Sequence, residues 1–597
     1  MYDWCPKGHP PNLSANRGSE QGKLSWLYVS RRLTRGSEAT RVPASHAGGH
    51  WFKSSTVHHR CPAVRSVPLL AVCHAPAMPP LLENMEVRAS GAMVSTVDLL
   101  ASTTARDVLR TGGNAVDAAI AANAVLTVTA QHFCGLGGDL FALVHHVGGP
   151  PDCLNASGRA GSGADANRLL AEGHRSMPHR GDVRSVPVPG VVDGWVELHG
   201  RHGSVPLADL LERAVGLATD GFPASPLLVP MAQAVRGLPG AGDFDDLARV
   251  GQQVRRPGVA RVLRALAEGG REAVYRGEFG DELLTVGAGE YTVEDLERPQ
   301  ADWVQPLGAR TWGHDVWTAP PNSQGYLTLA ATLIAEGLEL PSEADPLRAH
   351  LLIEAVRQAG YDRPQVLHEG ADGEALLESG RLDRRRAAID PDRAARLGDR
   401  WTDGDTMYLC VVDGDDMAVS LIQSNADGFG SHVTLPGLGI FLHNRGIGFS
   451  TAEGHPARYG AGIRPPHTLS PALVTRPDGS LRAVLGTMGG DAQPQIVLQM
   501  LVRLLHDGSS PGHVVGGGRW VLRGGVNGFS TWDAPDAVEV LVEDHAPDGW
   551  SGGLVARGHV ARVAESNYGH AHCIEVTGDG LVGTADPRAV IGAALGD

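Results

Sequence analysis

Thr406 is the residue whose position most directly suggests chemistry. It follows Gly404-Asp405, between a polar stretch and the apolar run Met407–Val412. A threonine hydroxyl is a weak nucleophile that needs an adjacent base. If the chain is cut before Thr406, the freed α-amine, with a reference pKa of about 8, supplies that base. The same hydroxyl can make the cut by attacking the Asp405 carbonyl. An isolated Asp-Thr pair is far more often an ordinary strand cap, so the hypothesis depends on the neighbouring residues.

Two further groups can complete such a site. Ser424 ends an apolar run and is predicted to lie beside Thr406. The pair Gly489-Gly490 can present backbone N–H groups as an oxyanion hole, because only glycine lets a backbone approach a substrate so closely. Alone, a Gly-Gly pair is more often a plain turn.

The elements around Thr406 are predicted to form a hairpin. Met407–Val412 is rich in β-forming residues, residues 413–416 are acidic with one glycine, and residues 417–422 are again β-forming. This pattern is typical of two antiparallel strands joined by a turn. Both runs are apolar on both faces, so we expect both sides of the sheet to be covered by helices. The predicted fold class is α/β (α+β), a layered αββα arrangement.

Upstream, helical and strand patterns alternate. Asn114 is predicted to cap a helix, and a glycine turn ending at Asp139 leads into an apolar strand. The predicted strands are Met93–Thr96 and 140–144; the predicted helices are Leu99–Arg110, 115–126, one that opens with residues 188–195, 207–218 and 351–359.

Composition excludes several classes of protein. The 597 residues carry a formal charge of −16, with 42% hydrophobic and 20% charged residues. This acidity argues against nucleic-acid binding, which requires a basic face. No run of 18 apolar residues occurs, so we expect no membrane span. The seven cysteines are scattered, without zinc-ligand spacing, which favours free thiols in a reducing cytoplasm and no metal.

Residues 1–84 differ from the rest of the chain. They hold ten Lys/Arg against four Asp/Glu and show no amphipathic period. We interpret them as a disordered extension, or as the result of a start codon placed too early, with Met85 as the true start. A signal-peptide interpretation is disfavoured because Pro68 interrupts the apolar run and the run lies far from Met1.

From Gly91 to its C-terminus the chain resembles the γ-glutamyltranspeptidase family. The resemblance is carried by short segments in the family's order: Gly112-Gly113-Asn114-Ala115-Val116-Asp117-Ala118-Ala119, Gly135-Leu136-Gly137-Gly138, Val188-Pro189-Gly190, Pro320-Pro321-Asn322-Ser323-Gln324-Gly325, Thr406 to Asp413, Phe429-Gly430-Ser431, Arg464-Pro465-Pro466-His467-Thr468-Leu469-Ser470-Pro471, Met488-Gly489-Gly490 and Ala585-Asp586-Pro587-Arg588.

The resemblance implies a four-layer αββα Ntn-hydrolase sandwich and a zymogen that cuts itself between Asp405 and Thr406. The large subunit would be residues 85–405 and the small, catalytic subunit residues 406–597, in a single large domain. Thr406 would be the nucleophile of an acyl-enzyme and Ser424 the hydroxyl that orients its N-terminus. Gly489 and Gly490 would form the oxyanion hole. No cofactor or metal is implied, and the family suggests a dimer of processed heterodimers.

The resemblance also bears on substrate binding. Arg159 lies near the position of the arginine that binds the γ-glutamyl α-carboxylate, with an alignment shifted by about two residues. Arginine suits that task because its planar fork meets a carboxylate with two hydrogen bonds. Ile447-Gly448 replaces the family's Asp-Asp pair, which removes the counter-ion of a glutamyl ammonium.

His467-Thr468 replaces a Ser-Ser pair beside the donor pocket. Arg445, His467 and Thr468 are therefore candidate substrate-binding residues, while Arg445 and His467 are equally well explained as structural ion-pair residues. This variant set resembles the branch that contains oxamate amidohydrolase and cephalosporin-acylase-like members.

The leading interpretation is an N-terminal-threonine amidohydrolase or acyltransferase that acts on a small acidic acyl donor, γ-glutamyl or related, with water or an amine as acceptor. The first alternative is an oxamate-type amidohydrolase or acylase with no γ-glutamyl activity. The alternative from another class is a non-catalytic homologue that binds a small acid. We expect a cytoplasmic location and neither nucleic-acid nor membrane partners.

Overall fold

The computed structural model describes residues 85–397, 407–524, 531–532, 538–564 and 568–597. Its strands are β1 (Val87–Ala89), β2 (Met93–Thr96), β3 (Asp139–His145), β4 (Asp152–Ala156), β5 (Phe222–Pro223), β6 (Gln253–Val254), β7 (Asp302–Val304), β8 (Leu307–Thr311), β9 (His314–Thr318), β10 (Met407–Val412), β11 (Ala418–Ser424), β12 (Thr434–Leu435), β13 (Ile440–Phe441), β14 (Ala472–Thr475), β15 (Leu481–Thr487), β16 (Trp520–Arg523), β17 (Glu539–Val542), β18 (Val560–Val563), β19 (Ala571–Thr577), β20 (Gly580–Ala585) and β21 (Ala593–Gly596).

The helices lie mostly between the strands of the N-terminal two thirds of the chain. They are α1 (Leu99–Arg110), α2 (Ala115–Thr129), α3 (Ala166–Ala171), α4 (Val191–His202), α5 (Leu207–Asp220), α6 (Leu228–Ala232), α7 (Pro257–Tyr275), α8 (Glu278–Val286), α9 (Val293–Glu297), α10 (Gly325–Glu336), α11 (Pro346–Gly360), α12 (Arg363–Val366), α13 (Gly373–Leu376), α14 (Ser379–Ala387), α15 (Gln493–Leu501), α16 (Pro511–Gly516) and α17 (Trp550–Ala556). Within the described ranges, none combines the length and the apolar character that crossing a bilayer requires.

Two seven-stranded sheets form the middle of the molecule. Sheet I has the order β1-β20-β19-β15-β14-β9-β8, and sheet II has the order β21-β2-β10-β11-β3-β4-β7. The two sheets pack face to face, and helices α2 and α4 cover sheet II while α10 and α15 cover sheet I. The predicted four-layer αββα sandwich is thus confirmed.

Three apolar cores correspond to the three interfaces between layers. Side chains such as Phe141, Tyr408 and Val484 fill the space between the sheets. A larger core lies between sheet II and its helices, and another lies between sheet I and its helices. Because β10 and β11 contribute to cores on both faces, their apolar character on both sides is explained.

Local sequence signals set the ends of the first helices. Asp98 accepts the Leu100 N–H at 2.7 Å and caps α1. Asn114 and Asp117 form a reciprocal capping box at the start of α2. The predicted hairpin is also confirmed: Met407 pairs with Gln423, and β11 begins one residue later than the pattern indicated.

Candidate active site

The described part of the small-subunit region begins at Met407. This residue opens β10 in the middle of sheet II, is fully buried and pairs with Gln423 of β11. Asp405 and Thr406, the predicted cleavage point and nucleophile, lie outside the described residues. The candidate site is therefore located from the groups that surround Met407.

Ser424 is the last residue of β11, as predicted, and is placed opposite Asp139 of β3. Its side chain is buried, and its Oγ accepts the Ala426 N–H at 2.7 Å. Gly138, which directly precedes β3, lies very close to Ser424: a Cβ on Gly138 would be only 2.5 Å from the Ser424 carbonyl oxygen. A glycine at 138 is thus required for the two strands to meet at this point.

Gly489 and Gly490 follow the end of β15 and lead into helix α15. Their φ angles are +130° and +54°, a backbone shape that other residues rarely adopt. Within the described part of the chain, neither amide N–H has a hydrogen-bond acceptor. Both groups also precede a helix N-terminus, which favours negative charge. Two adjacent N–H groups of this kind can bind a developing oxyanion.

The glycine turn lies close to the start of β10. Gly486, three residues before Gly489, is packed on the ring of Tyr408, to which a Cβ at 486 would come within 2.5 Å. Tyr408 directly follows Met407 in the chain. The structure therefore brings the two N–H groups and the first residues of β10 to the same end of the two facing sheets.

Gln324 ties the glycine turn to the segment that contains His467 and Thr468. Its Nε2 donates to the Gly490 carbonyl at 3.0 Å and to the Thr468 carbonyl at 3.1 Å, and its backbone N–H donates to the His467 carbonyl at 2.8 Å. Thr468 is buried beside the turn. Gln324 thereby fixes the orientation of both segments.

Several buried polar atoms around these segments have no hydrogen-bond partner among the described residues. They are Thr468 Oγ1, Asn425 Oδ1, Gln324 Oε1 and Gln493 Nε2. Buried polar groups in folded proteins are nearly always paired. These atoms lie next to Ser424 and Gly490, where they can form hydrogen bonds with a polar ligand.

His467 contacts Asp139, and its protonation state follows from its two neighbours. The Leu469 N–H donates to His467 Nδ1 at 3.2 Å, so that nitrogen is an acceptor. His467 Nε2 therefore carries the proton and donates it to Asp139 Oδ2 at 3.0 Å. Burial lowers the pKa of His467 to about 3. His467 is thus a neutral, structural partner of Asp139.

Asp139 collects further contacts from both regions of the chain. Its Oδ1 accepts the Gly158 N–H at 3.0 Å, and its Oδ2 lies 3.4 Å from His443 Nδ1. Burial acts to raise the pKa of Asp139, but His443 and His467 hold it below its ordinary value. An ionised Asp139 thus joins residues of the 85–405 region to two histidines of the 406–597 region.

Arg445 and Arg363 lie near the carboxylate of Asp491, which follows Gly490. Arg363 Nη2 is 3.5 Å from Asp491 Oδ1, and the Thr531 N–H donates to Oδ2 at 3.1 Å. Burial raises the pKa of Asp491 to about 6 and lowers the pKa of the fully buried Arg445 to about 9. Arg363 and Arg445 thus place two guanidinium groups beside Asp491 and the Gly489-Gly490 turn, which leaves an excess of positive charge there when Asp491 is their counter-ion.

Arg159 has a different set of partners. Its Nη2 donates to Asp302 Oδ2 at 2.6 Å, and Arg464 Nη1 donates to the same oxygen at 2.8 Å. Glu369 lies within 4 Å of both arginines. The charge of Arg159 is therefore already balanced, although its Nη1 has no hydrogen-bond partner among the described residues.

The structure groups the predicted residues into two sets. The first set lies around the start of β10 and contains Ser424, His467, Thr468, Gly489 and Gly490, with Arg445 beside them. Arg159 instead belongs to an ion-pair network with Asp302, Glu369 and Arg464. Sequence reasoning missed four residues of the site: Asp139, Arg363, His443 and Asp491. Two of these had a signal, since Asp139 and Asp491 each follow a Gly-Gly pair.

Comparison with known proteins gives consistent matches over most of the chain. A family model for Gamma-glutamyltranspeptidase matches residues 101–596. The glutathione hydrolase-like YwrD proenzyme of Bacillus subtilis (strain 168) is 33% identical over 535 residues, which cover 86% of this chain and all of that protein. The oxamate amidohydrolase proenzyme of Klebsiella pneumoniae is 33% identical over 527 residues, covering 83% of this chain and 97% of that protein.

A solved structure gives the same result for the fold. The cephalosporin acylase from Bacillus halodurans superposes with a TM-score of 0.79 at 32% identity, over 88% of this chain and 99% of its own.

Proposed function

The chain belongs to the γ-glutamyltranspeptidase family of amidohydrolases, and on this premise we propose that it cuts itself before Thr406 and then uses Thr406 as its nucleophile. The observation that carries the proposal is the pair of N–H groups of Gly489 and Gly490 beside the start of β10, for which the described residues offer no acceptor. Thr406 directly precedes Met407, the first residue of β10, in the chain.

In the self-cleavage step, Thr406 Oγ1 attacks the carbonyl carbon of Asp405. The C–N bond breaks, the nitrogen takes up the hydroxyl proton, and an ester joins Asp405 to Thr406 Oγ1. Water then hydrolyses this ester, leaving a carboxylate on Asp405 and a free α-amine and hydroxyl on Thr406. The products are residues 1–405 and residues 406–597.

In the catalytic step, the freed α-amine takes the proton of the Thr406 hydroxyl as that hydroxyl attacks an amide carbonyl. The developing oxyanion accepts the two N–H groups of Gly489 and Gly490. The amine then passes the proton to the leaving nitrogen, and water resolves the acyl ester. Removal of one oxyanion donor in such a site costs about 10²–10³ in kcat.

For the acyl group we propose a small acid that lacks an α-ammonium. Arg363 and Arg445 suit a carboxylate next to the glycine turn. Gly448 stands where the resemblance places an ammonium counter-ion, and a Cβ there would lie 2.4 Å from the Pro466 carbonyl oxygen. The backbone at 448 is therefore closed to any side chain. This observation favours an oxamate-type donor, the compound in the name of the Klebsiella relative, over a γ-glutamyl donor.

Self-cleavage is tested by intact-mass spectrometry and N-terminal sequencing of the wild-type chain, Thr406→Ala and Thr406→Ser. We expect two pieces with a new terminus at Thr406 for the wild type, an intact chain for the alanine variant, and cleavage in the serine variant, which keeps a hydroxyl. A wild-type chain that is folded yet stays whole would leave Thr406 without its base. The non-catalytic acid-binding interpretation would then replace the enzyme.

Donor choice is tested on the cleaved protein with oxamate and with a γ-glutamyl anilide. We expect kcat/KM to be higher for oxamate. A clear preference for the anilide would instead support γ-glutamyl transfer or hydrolysis and would overturn the argument from Gly448.

A further inference from the structure

Three potential metal ligands meet at the end of sheet II that is farthest from Ser424. His146 directly follows β3, Asp152 opens β4, and His202 is the last residue of α4. Their ligand atoms all lie within 4.8 Å of one another. Because β3 spans seven residues at about 3.4 Å each, this cluster lies roughly 20 Å from the candidate active site.

The distances within the cluster fit a tetrahedral ion. His146 Nε2 is hydrogen-bonded to Asp152 Oδ2 at 3.3 Å, and His202 Nε2 lies 3.2 Å from the same oxygen. Zinc binds imidazole nitrogen and carboxylate oxygen at about 2.0–2.2 Å, which in a tetrahedron separates neighbouring ligand atoms by about 3.3–3.6 Å. Two of the three pairs of ligand atoms therefore have the spacing of neighbours around one ion, and the third pair lies within 4.8 Å.

Ordinary hydrogen bonding does not account for His202. Its side chain is only 9% exposed, and its Nε2, although 3.2 Å from Asp152, does not have the direction of a hydrogen bond to it. In the parts of the chain that the structure describes, this buried nitrogen has no other hydrogen-bond partner. A buried imidazole nitrogen that lies near a carboxylate and is not satisfied by it is available to bind an ion shared with that carboxylate.

Neighbouring side chains hold the three ligands in place. Arg201 Nη2 donates to Asp152 Oδ1 at 2.9 Å, which leaves Oδ2 facing the histidines. Arg201 also stacks on Trp303 at 4.4 Å, and the His202 ring packs edge-on against the same indole. Contacts that orient a ligating side chain are a regular part of metal sites. The side chain of His146 is 39% exposed, which gives an ion access from solvent.

We propose that His146 Nε2, Asp152 Oδ2 and His202 Nε2 bind one divalent first-row transition-metal ion, with Zn²⁺ as the expected species and water in the fourth position. Mixed imidazole and carboxylate ligands suit Zn²⁺ rather than Ca²⁺ or Mg²⁺. The ion would clamp the β3–β4 turn, residues 147–151, to the end of α4. It takes no part in the hydrolase reaction proposed above.

A second cluster serves as an internal comparison. His350, Glu354 and His559 also lie close together. There, however, His350 Nδ1 is hydrogen-bonded to His559 Nε2 at 2.8 Å, and Glu354 Oε1 accepts Arg357 Nη1 at 2.6 Å. Both histidines of this cluster are thus paired with each other, whereas the buried Nε2 of His202 has no hydrogen-bond partner among the described residues, so we assign no ion to the second cluster.

The test measures metal binding by the full chain, produced without a histidine tag and treated with a chelator. Isothermal titration with Zn²⁺ counts the equivalents bound, and the visible spectrum of added Co²⁺ reports tetrahedral coordination. Residues 1–84 contain six histidines and three cysteines that can bind metal by themselves, so the result is read as a difference between variants.

We expect His146→Ala and Asp152→Asn each to lose one equivalent of Zn²⁺ and the tetrahedral Co²⁺ spectrum. The matched control is His506→Ala, which removes a surface histidine that contacts one carboxylate, Asp507 at 2.7 Å, without a second histidine. That variant should bind as the wild type does. Zn²⁺ should raise the melting temperature of the wild type but not that of the two site variants.

Equal equivalents and equal spectra in the wild type and the two site variants would overturn the proposal, as would a wild type that binds no Zn²⁺. Hydrolysis and self-cleavage should be unchanged in His146→Ala. Failure of the metal proposal and failure of the proposed function are therefore distinguished by separate measurements.

Discussion

Replacement of Gly489 by alanine tests whether catalysis depends on the positive φ angle of the glycine turn, because the position has room for a methyl group. Gly489 has φ = +130°, which an alanine adopts only with strain. A Cβ at this position would meet Ala492 Cβ at 3.5 Å, an ordinary van der Waals contact. The substituted chain therefore has room for the methyl group, and the strain is relieved by rotation of the peptide that presents the N–H groups.

The magnitude follows from two contributions. Residues held in such a backbone region cost about 1–3 kcal/mol of stability. Loss of one aligned oxyanion donor costs about 2.7–4 kcal/mol of transition-state stabilisation, or about 10²–10³ in kcat. We expect Gly489→Ala to be folded, to bind the donor with a KM near that of the wild type, and to have kcat reduced by about two to three orders of magnitude.

The control is Gly112→Ala. Gly112 has φ = +95°, no atom lies within 4 Å of its potential Cβ, and it is placed in the turn between α1 and α2. It should lose a similar amount of stability with kcat unchanged. Intact-mass spectrometry, thermal unfolding and steady-state hydrolysis are compared for both variants on cleaved protein. If both variants keep kcat within about threefold of the wild type, the N–H groups of the turn are not the oxyanion hole.

Three further outcomes follow from the structure. Gly448→Asp should lower the yield of folded protein, because its Cβ would lie 2.4 Å from the Pro466 carbonyl oxygen. The variant should not gain γ-glutamyl hydrolysis, and a gain of that activity would contradict the expectation. Arg363→Gln should leave self-cleavage intact and raise KM for an anionic donor by about 10- to 100-fold, since a hydrogen bond to a charged group is worth about 1.5–3 kcal/mol. If KM is unchanged for both an anionic and a neutral donor, Arg363 does not contact the donor. Burial lowers the pKa of His132, His467 and His572 to about 3, so these rings stay neutral in the folded protein. The same rings bind protons in the unfolded chain below about pH 6.5, so thermal stability should fall below that pH, by up to about 1.4 kcal/mol per pH unit for each ring. A melting temperature that is constant from pH 7.5 to 5 would refute this prediction.

The first two helices and the β10–β11 hairpin were predictable because their signals are local. Leu99–Arg110 was predicted with correct bounds, since Asp98 caps its start and a glycine turn follows its end. The next helix runs to Thr129, three residues past the predicted end at 126, because the sequence there has no glycine stop. The hairpin of β10 and β11 followed from two apolar runs around an acidic turn.

The roles of the charged residues were not predictable in the same way. His467 and Asp139 are 328 positions apart in the chain, and only the packing of β3 against the second region makes them partners. The same holds for Arg159, whose partner Asp302 is 143 positions away. A residue type and its neighbours in sequence do not reveal which opposite charge the fold supplies.

The strand order of sheet II affects how the protein can refold after cleavage. Strands β10 and β11 lie between β2 and β3, and β21 pairs with the other edge of β2, so the two regions on either side of position 405 alternate within one hydrogen-bonded sheet. A precursor folds in a first-order process. Once the chain is cut as proposed, refolding requires two molecules to meet, with a loss of translational and rotational freedom of about 4–15 kcal/mol. Unfolding then becomes concentration-dependent, and the cleaved protein persists through a slow unfolding rate rather than through easy return to the native state.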